Sequence, residues 1–326
     1  RLEGVETLDY LIIQHVEQDH SGSSPDVLER YPDVKLLCSA KAKSMIVDHL
    51  GIPEERITTV EDGEILSFGE WTLEFIYAPW VHWPETMLTY VREEKVLFTC
   101  DFFGSHLATD DLFASGNPKV CEASKRYYAE IMMPFASQIR GHLEELAPYE
   151  IELICPSHGP VRDDPDVILD SYRHWATDEP KNLVLLPYTS MHESTSLMVD
   201  HLVTALAERN VHVEPFNMTV TDIGDYAAHL VDAATVIFAT PTVLIGPHPT
   251  IVFTAYLTGA LRPKLKHAGV IGSFGWGSQA AERAQSLCSN LKAEWFDPVM
   301  TKGLPKAETF EALDRLADAI AEQHTS

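Results

Sequence analysis

The stretch LDYLIIQHVEQDHSGS, residues 8–23, decides how this chain is read. An apolar run from Leu8 to Ile13 has the length of a buried strand, and it opens directly into His15-Val16-Glu17-Gln18-Asp19-His20. Side chains of extended backbone repeat every second residue, so His15 and Glu17 project to the same side. Asp19 and His20 are then free to face a second centre. Carboxylates and imidazoles crowded into so short a segment repel and desolvate one another unless a cation sits among them. The segment reads as half of a dinuclear metal site, and a solvated polar turn is the bland alternative.

Three more residues stand where such a site needs them. His82 follows the run Leu73 to Ala78, Asp101 ends the strand Val96 to Cys100, and His158 follows Ile151 to Cys155. A single histidine after a strand is usually a packing or loop residue. Several of them at strand ends in one chain make a set.

Composition bounds the reading. At 326 residues the chain is long enough for two domains with their own cores. Its apolar runs are strand-sized, so neither a membrane span nor a signal peptide is expected. Cys38, Cys100, Cys121, Cys155 and Cys288 show no CxxC pairing and read as reduced core thiols of a cytoplasmic protein. A net charge of −25 argues against nucleic acid as a partner. The charge is uneven: residues 1–178 carry 14 Lys plus Arg against 33 Asp plus Glu, whereas residues 179–326 carry 10 against 16. The acidic first half is mostly solvated face, which favours solubility.

Thr177 to Asn182, with its proline and polar residues, ends a helix-like stretch and precedes a new apolar strand, as a linker does. Two domains are expected, 1–178 and 179–326. In the first, short strands alternate with helical segments at Pro25 to Tyr31, Ala40 to Leu50 and a long amphipathic region, Lys119 to Leu146. In the second, strands at Leu183 to Leu186, Val211 to Pro215, Thr235 to Ala239 and Ala268 to Gly272 alternate with helices, the pattern of a doubly wound parallel sheet. Tyr188 to Thr195 follows a strand and precedes a helix. The hydroxyls of Thr189, Ser190, Ser194 and Thr195, together with helix N-terminal N–H groups, suit a phosphate, although such clusters are often plain caps.

The passages HVEQDHSGS (15–23), HWPETMLTY (82–90), LFTCDFFGSHL (97–107) and PSHGP (156–160), with YTSMHEST (188–195), ATPTV (239–243) and GSFGWGS (272–278), resemble the flavodiiron proteins in order and spacing over nearly the whole chain. The resemblance implies an α/β architecture: a metallo-β-lactamase-like αββα sandwich carrying a diiron site, followed by a flavodoxin-like FMN-binding domain. It implies one iron on His15, Glu17 and His82, a second on Asp19, His20 and His158, and Asp101 as the bridge. A carboxylate at Glu17, where zinc hydrolases of this fold usually have histidine, suits redox-active iron better than zinc. It further implies that Thr189, Ser190, Met191, His192, Ser194 and Thr195 surround the FMN phosphate. Pro241, Thr242 and Val243, with Ser273, Phe274, Gly275, Trp276 and Gly277, would flank the ring, the aromatics offering surface and the glycines close approach. Trp80, Trp83, Phe102 and Phe103 are candidates for a dry substrate pocket or for core.

The implied reaction moves electrons from a two-electron donor through FMN to the diiron centre, where O2 is reduced to water. Family members have several strands ahead of the first ligand, so roughly a few dozen further residues are expected before Arg1. No rubredoxin-like cysteine set or flavin reductase module is read within residues 1–326, and a separate donor is expected. TPTVLIGPHP (240–249) before ALRPK (260–264), with Met191-His192, is similar to methanogen-type members that oxidise reduced coenzyme F420 (F420H2). Rubredoxin is the other donor, and Arg262, Lys264 and Lys266 either attract the anionic tail of F420H2 or form a plain solvated basic face. A head-to-tail homodimer, or a dimer of dimers, is implied because it joins the flavin of one chain to the irons of the next. Nitric oxide reduction on the same scaffold and a non-catalytic diiron O2 sensor stay open, while a zinc hydrolase is disfavoured.

Overall fold

The computed structural model describes residues 4–325. The chain forms two compact units that divide between Ala176 and Thr177.

The first unit begins with β1 (Tyr10–Ile13), the short turn of helix α1 (Gln18–Ser21), α2 (Ser24–Arg30), β2 (Lys35–Ser39), α3 (Ala40–Leu50) and β3 (Ile57–Val60). The three strands pair in parallel in the order β1-β2-β3. Alternation along the strands gives this sheet two apolar faces. Ile13, Leu36 and Cys38 pack on Leu28 of α2 and on Ala42 and Ile46 of α3. Leu37 and Val60 turn the other way, onto Leu73, Phe75 and Met87 of a second sheet. Ser39 stops β2 and starts α3 by accepting a hydrogen bond from the Ala42 N–H, and Gly51 closes that helix in the left-handed conformation that suits glycine.

The second sheet holds β4 (Ile65–Phe68), β5 (Trp71–Tyr77), β6 (Met87–Val91), β7 (Val96–Cys100) and β8 (Leu153–Pro156) in sequence order. It is antiparallel until β7 meets β8 in parallel. Between those two strands run α4 (Lys119–Tyr127) and α5 (Ala136–Leu146), and α6 (Pro165–Trp175) follows β8. The amphipathic region Lys119 to Leu146 is therefore not one helix. A π-helical turn, Tyr128–Met132, and a tight turn, Met133–Phe135, interrupt it at Pro134, which has no N–H to continue the ladder. Phe102 and Phe103 stack on each other at 3.8 Å and Phe103 meets Tyr172 of α6 at 4.9 Å, tying the end of β7 to the helices.

The second unit contains β9 (Lys181–Tyr188), α7 (Ser194–Glu208), β10 (His212–Asn217), α8 (Ile223–Leu230), β11 (Ala233–Val243), β12 (Gly246–Pro247), α9 (Pro249–Leu261), β13 (His267–Phe274), α10 (Ala280–Leu287), β14 (Glu294–Trp295), β15 (Val299–Lys302) and α11 (Ala307–Thr325). Its main strands run parallel in the order β10-β9-β11-β13, with β14 and then β15 beside β13. Counted within the unit this is 2-1-3-4-5, the flavodoxin-like order, whose switch point lies between β9 and β11. Val236, Ile237, Phe238 and Ala239 are fully buried, as a strand covered on both faces must be. Burial of a side chain such as Ile237 or Phe238 contributes about 1.5–3 kcal/mol.

All five cysteines are free thiols. Cys121 departs from the expectation of core thiols, since it sits on the exposed side of α4. No helix among the described residues is long and apolar enough to cross a membrane.

Candidate metal centre and flavin-type loops

Every metal candidate leaves the end of a strand or the turn beyond it. His15 and Glu17 follow β1, Asp19 and His20 ride on α1, His82 lies between β5 and β6, Asp101 follows β7 and His158 follows β8. The Ser21 hydroxyl donates to the carbonyls of Val16 and Glu17 and so fixes the tight turn. The structure brings all seven residues together as two groups. His15, Glu17, His82 and Asp101 offer ligand atoms within 4.8 Å of one another, and so do Asp19, His20 and His158.

Asp101 joins the groups through its two oxygens. Oδ2 stands 3.3 Å from His15 Nε2 and 3.4 Å from His82 Nε2. Oδ1 stands 3.0 Å from His20 Nε2 and 3.2 Å from His158 Nε2. Glu17 Oε2 lies 3.2 Å from both His15 and His82, whereas Asp19 Oδ2 lies 3.2 Å from His158. Glu17 thus stands in the first group and Asp19 in the second.

The electrostatics fit a cation. Burial alone pushes Asp101 upward, but the imidazoles of His20, His82 and His15 around it hold its carboxyl far below the usual range. Burial pushes His15 and His20 down, and the surrounding carboxylates outweigh it, so both are raised. Four imidazoles and three carboxylates are thus held by one another where a metal can replace the shared protons. His20 Nε2 and Asp101 Oδ2 are buried without a hydrogen-bond partner among the described residues, which is what ligand atoms awaiting a metal show. Oxygen and imidazole donors suit iron, manganese or zinc.

Cys100 also lies within reach of His20 and Asp101. Burial and the Asp101 charge push its thiol well up, so in the metal-free chain it is a protonated neighbour of the two.

Sequence reasoning missed three neighbours. Glu85 bonds His15, the Tyr127 hydroxyl donates to Asp101 Oδ1 at 3.0 Å, and exposed His106 packs its ring 5.3 Å from His158. Glu85 sits inside the quoted motif HWPETMLTY, where a carboxylate three residues after a ligand histidine is the signal. The aromatic candidates divide. Trp83 meets His15 edge-on at 4.9 Å beside the centre, and exposed Trp80 stacks on Phe135. Phe102 and Phe103 are core, fully buried against Tyr172.

In the second unit, three loops leave the carboxyl ends of β9, β11 and β13 side by side, with Ala239 paired to Tyr188 and Pro241 to Ser273. This edge, at the switch point, is where open α/β sheets bind ligands. Thr189 and Thr195 are buried, Ser190 accepts from the Ser196 N–H, and Met191 and His192 are exposed at the tip. Thr195 Oγ1 lies 3.4 Å from Ser273 Oγ, and Thr242 Oγ1 bonds Ser278 Oγ at 2.8 Å, so the loops are stitched together by hydroxyls. Ser194 lies in the first turn of α7, Pro241 is buried, and Val243 ends β11. Phe274 is half-buried and Trp276 is 86% exposed. A Cβ added at Gly275 or Gly277 would meet nothing, so open space stands above both. The tightest glycine is Gly272, whose Cβ would fall 2.0 Å from the Thr240 carbonyl oxygen. The basic cluster lies elsewhere. Arg262, Lys264 and Lys266 precede β13, at the sheet edge opposite these loops, roughly 20–25 Å away at the rise of a strand. They do not line the flavin-type site.

A family model described as ODP family beta lactamase matches residues 2–159. A nitric oxide reductase of Moorella thermoacetica is 33% identical over 323 residues, covering 96% of this chain and 80% of that protein. Among solved structures, the rubredoxin oxygen:oxidoreductase of the anaerobe Desulfovibrio gigas superposes with a TM-score of 0.92 at 29% identity, over 98% of this chain and 81% of that one. The flavodiiron protein of Giardia intestinalis gives 0.84 at 26% identity, over 97% and 81%. A metallo-β-lactamase-like sandwich with a two-centre ligand set, followed by a flavodoxin-like unit, defines an oxidoreductase built for metal and flavin. The chain belongs to the flavodiiron protein family, whose members bind FMN and a diiron centre.

Proposed function

We propose that this chain reduces O2 to water at a diiron centre fed through FMN, with F420H2 as the donor. The carrying observation is the divided carboxylate of Asp101, one oxygen toward His15 and His82 and the other toward His20 and His158. In this reading His15, Glu17 and His82 hold one iron, Asp19, His20 and His158 hold the other, and Asp101 bridges. When bound, the irons supply two adjacent one-electron sites for a diatomic molecule and the flavin converts a hydride into single electrons.

The chain's own residues supply the rest. Thr189, Ser190, Met191, His192, Ser194 and Thr195 receive the flavin phosphate at the N-terminus of α7. Pro241, Thr242 and Val243 take one side of the ring, and Ser273, Phe274, Gly275, Trp276 and Gly277 the other. The exposed apolar side chains Met191, Leu244, Ile245 and Trp276 give a flat heteroaromatic donor a surface on which to stack. Trp83 and the buried Tyr127 keep water from the His15 and Asp101 faces of the centre. A head-to-tail homodimer completes the reading.

Reduction of O2 is supported by the Desulfovibrio gigas structure, and the name of the Moorella relative favours a second reading, nitric oxide reduction. Protein loaded with iron and FMN should bleach on anaerobic addition of F420H2 and then consume one O2 for every two F420H2 oxidised. Bleaching by reduced rubredoxin but not by F420H2 would move the donor assignment. Faster consumption of nitric oxide than of O2 would favour the second reading, and binding without turnover would leave a sensor. A protein that takes up no iron would sink the ligand assignment.

A further inference from the structure

Glu85 lies in the segment between His82 and β6 and belongs to neither ligand group. Its side chain is fully buried, a place where a carboxylate is held only by hydrogen bonds and paired charge. Oε1 accepts from His15 Nδ1 at 2.8 Å and from the Val16 N–H at 3.0 Å. The Glu85 main-chain carbonyl accepts from the Ser39 hydroxyl at 2.7 Å, which pins the residue to the start of α3. An acceptor on Nδ1 makes that nitrogen carry the proton and leaves the lone pair on Nε2. Nε2 is the atom in the metal pocket, between Glu17 and Asp101.

The other three histidines lack this support. His20, His82 and His158 meet carboxylates through Nε2, and among the described residues no carboxylate stands at ion-pair distance from their far nitrogens. The charge count is equally lopsided. Glu17, Asp19 and Asp101 carry three negative charges, and Glu85 supplies a fourth to match two divalent ions. It does so from the His15 side only.

We propose that Glu85 is a positioning residue that fixes the His15 tautomer and makes the two metal positions unequal, the one at His15, Glu17 and His82 being the tighter. This rests on the metal reading above. A carboxylate behind a ligating imidazole strengthens it as a donor, and loss of such a partner typically costs about 10–100-fold in metal affinity.

The test is anaerobic titration of metal-free protein with Co2+, followed by absorption and calorimetry. The wild-type chain should bind two ions in two resolvable steps. Glu85→Gln, nearly the same in shape, should weaken the tighter step by about 10–100-fold and leave the other unchanged. Ser39→Ala, which releases the main-chain anchor and keeps the carboxylate, should leave both steps in place. Two ions bound by the wild type with Glu85→Gln identical would overturn the inference alone, as would equal weakening of both steps. A wild type that binds no ion would overturn the metal reading itself. Should Glu85→Gln not fold, nitrogen-15 NMR of the zinc-loaded wild type still decides. A proton on His15 Nδ1 with Nε2 on the metal supports the inference, and the reverse assignment overturns it.

Discussion

The Tyr127 hydroxyl donates to Asp101 Oδ1 at 3.0 Å, on the oxygen that also faces His20 and His158. Both residues are buried, and burial with the Asp101 charge pushes the phenol well up, so it remains a donor at every working pH. Gly104 makes room for it: a Cβ there would stand 3.3 Å from the Tyr127 ring. The phenol thus polarises one half of the shared carboxylate and leaves the other half to His15 and His82.

Tyr127→Phe removes that donor and little else. A hydrogen bond to a charged group contributes about 1.5–3 kcal/mol, and urea unfolding of the metal-free protein should show a loss of that size. Unchanged stability would mean that the bond is not made in solution.

The shifted groups set a pH dependence whose sign can be worked through. His15 and His20 are raised above 6.5, so the stability they contribute is complete below that value and is lost as pH rises through their folded values. Asp101 and Glu85 are depressed, so theirs is complete above the unfolded carboxylate range and is lost as pH falls. Metal-free protein should therefore be most stable between about pH 4.5 and 6.5 and weaken above that window. Metal replaces the histidine protons, so the rise in Tm on adding Zn2+ should grow from about pH 6 to about pH 8. Thermal unfolding with and without zinc measures this, and an increment independent of pH would contradict it.

The centre was legible because its candidate ligands sit at strand ends, where an apolar run stops and chemistry-bearing residues begin. The parallel second sheet was legible for a related reason: fully apolar runs such as Val236 to Ala239 fit only a strand covered on both faces. What stayed hidden depends on three-dimensional neighbours. Glu85 is marked in the sequence only by its spacing from His82, and its partner, His15, appears only when β1 and the segment before β6 meet. Tyr127 reads as one more apolar position of a helix until α4 carries it to Asp101. Gly272 reads as an ordinary strand residue until Thr240 is placed opposite. The basic residues before β13 misled because a cluster in sequence says nothing about which edge of a sheet it occupies.

That misplacement is itself testable. Reversing the charges of Arg262, Lys264 and Lys266 should leave the KM for F420H2 unchanged, since the cluster lies at the far edge of the sheet from the flavin-type loops. A several-fold rise in KM would return those residues to the donor site.

Leu244 and Ile245 form the two-residue turn between β11 and β12, with Val243 paired to Gly246. Both have positive φ, 47° and 73°, in a turn that favours Asn-Gly, and Leu244 is 87% exposed. A branched residue in this conformation is strained, so the double replacement Leu244→Asn with Ile245→Gly should stabilise the protein by about 1–2 kcal/mol. Strain kept in an exposed apolar tip beside Pro241 to Val243 points to use of that tip. The double variant should accordingly gain in Tm and lose in the rate of flavin reduction by the donor. A gain in stability with no change in that rate would leave the turn as plain strain.

Thr189 gives the sharpest separation of folding from flavin binding. Its side-chain oxygen is buried at the end of β9 without a hydrogen-bond partner among the described residues, although its own N–H bonds the Ala239 carbonyl. A buried hydroxyl left unpaired costs about 1–3 kcal/mol, and Val has nearly the same shape without the polar atom. Thr189→Val should therefore stabilise flavin-free protein. If that hydroxyl is kept for the FMN phosphate, the same change should weaken FMN binding about tenfold, the loss of one hydrogen bond to a charged group. Fluorescence titration with FMN and thermal unfolding of the flavin-free chain read the two effects separately. Only a residue held for a ligand moves them in opposite directions, since a structural hydroxyl would lose stability along with affinity.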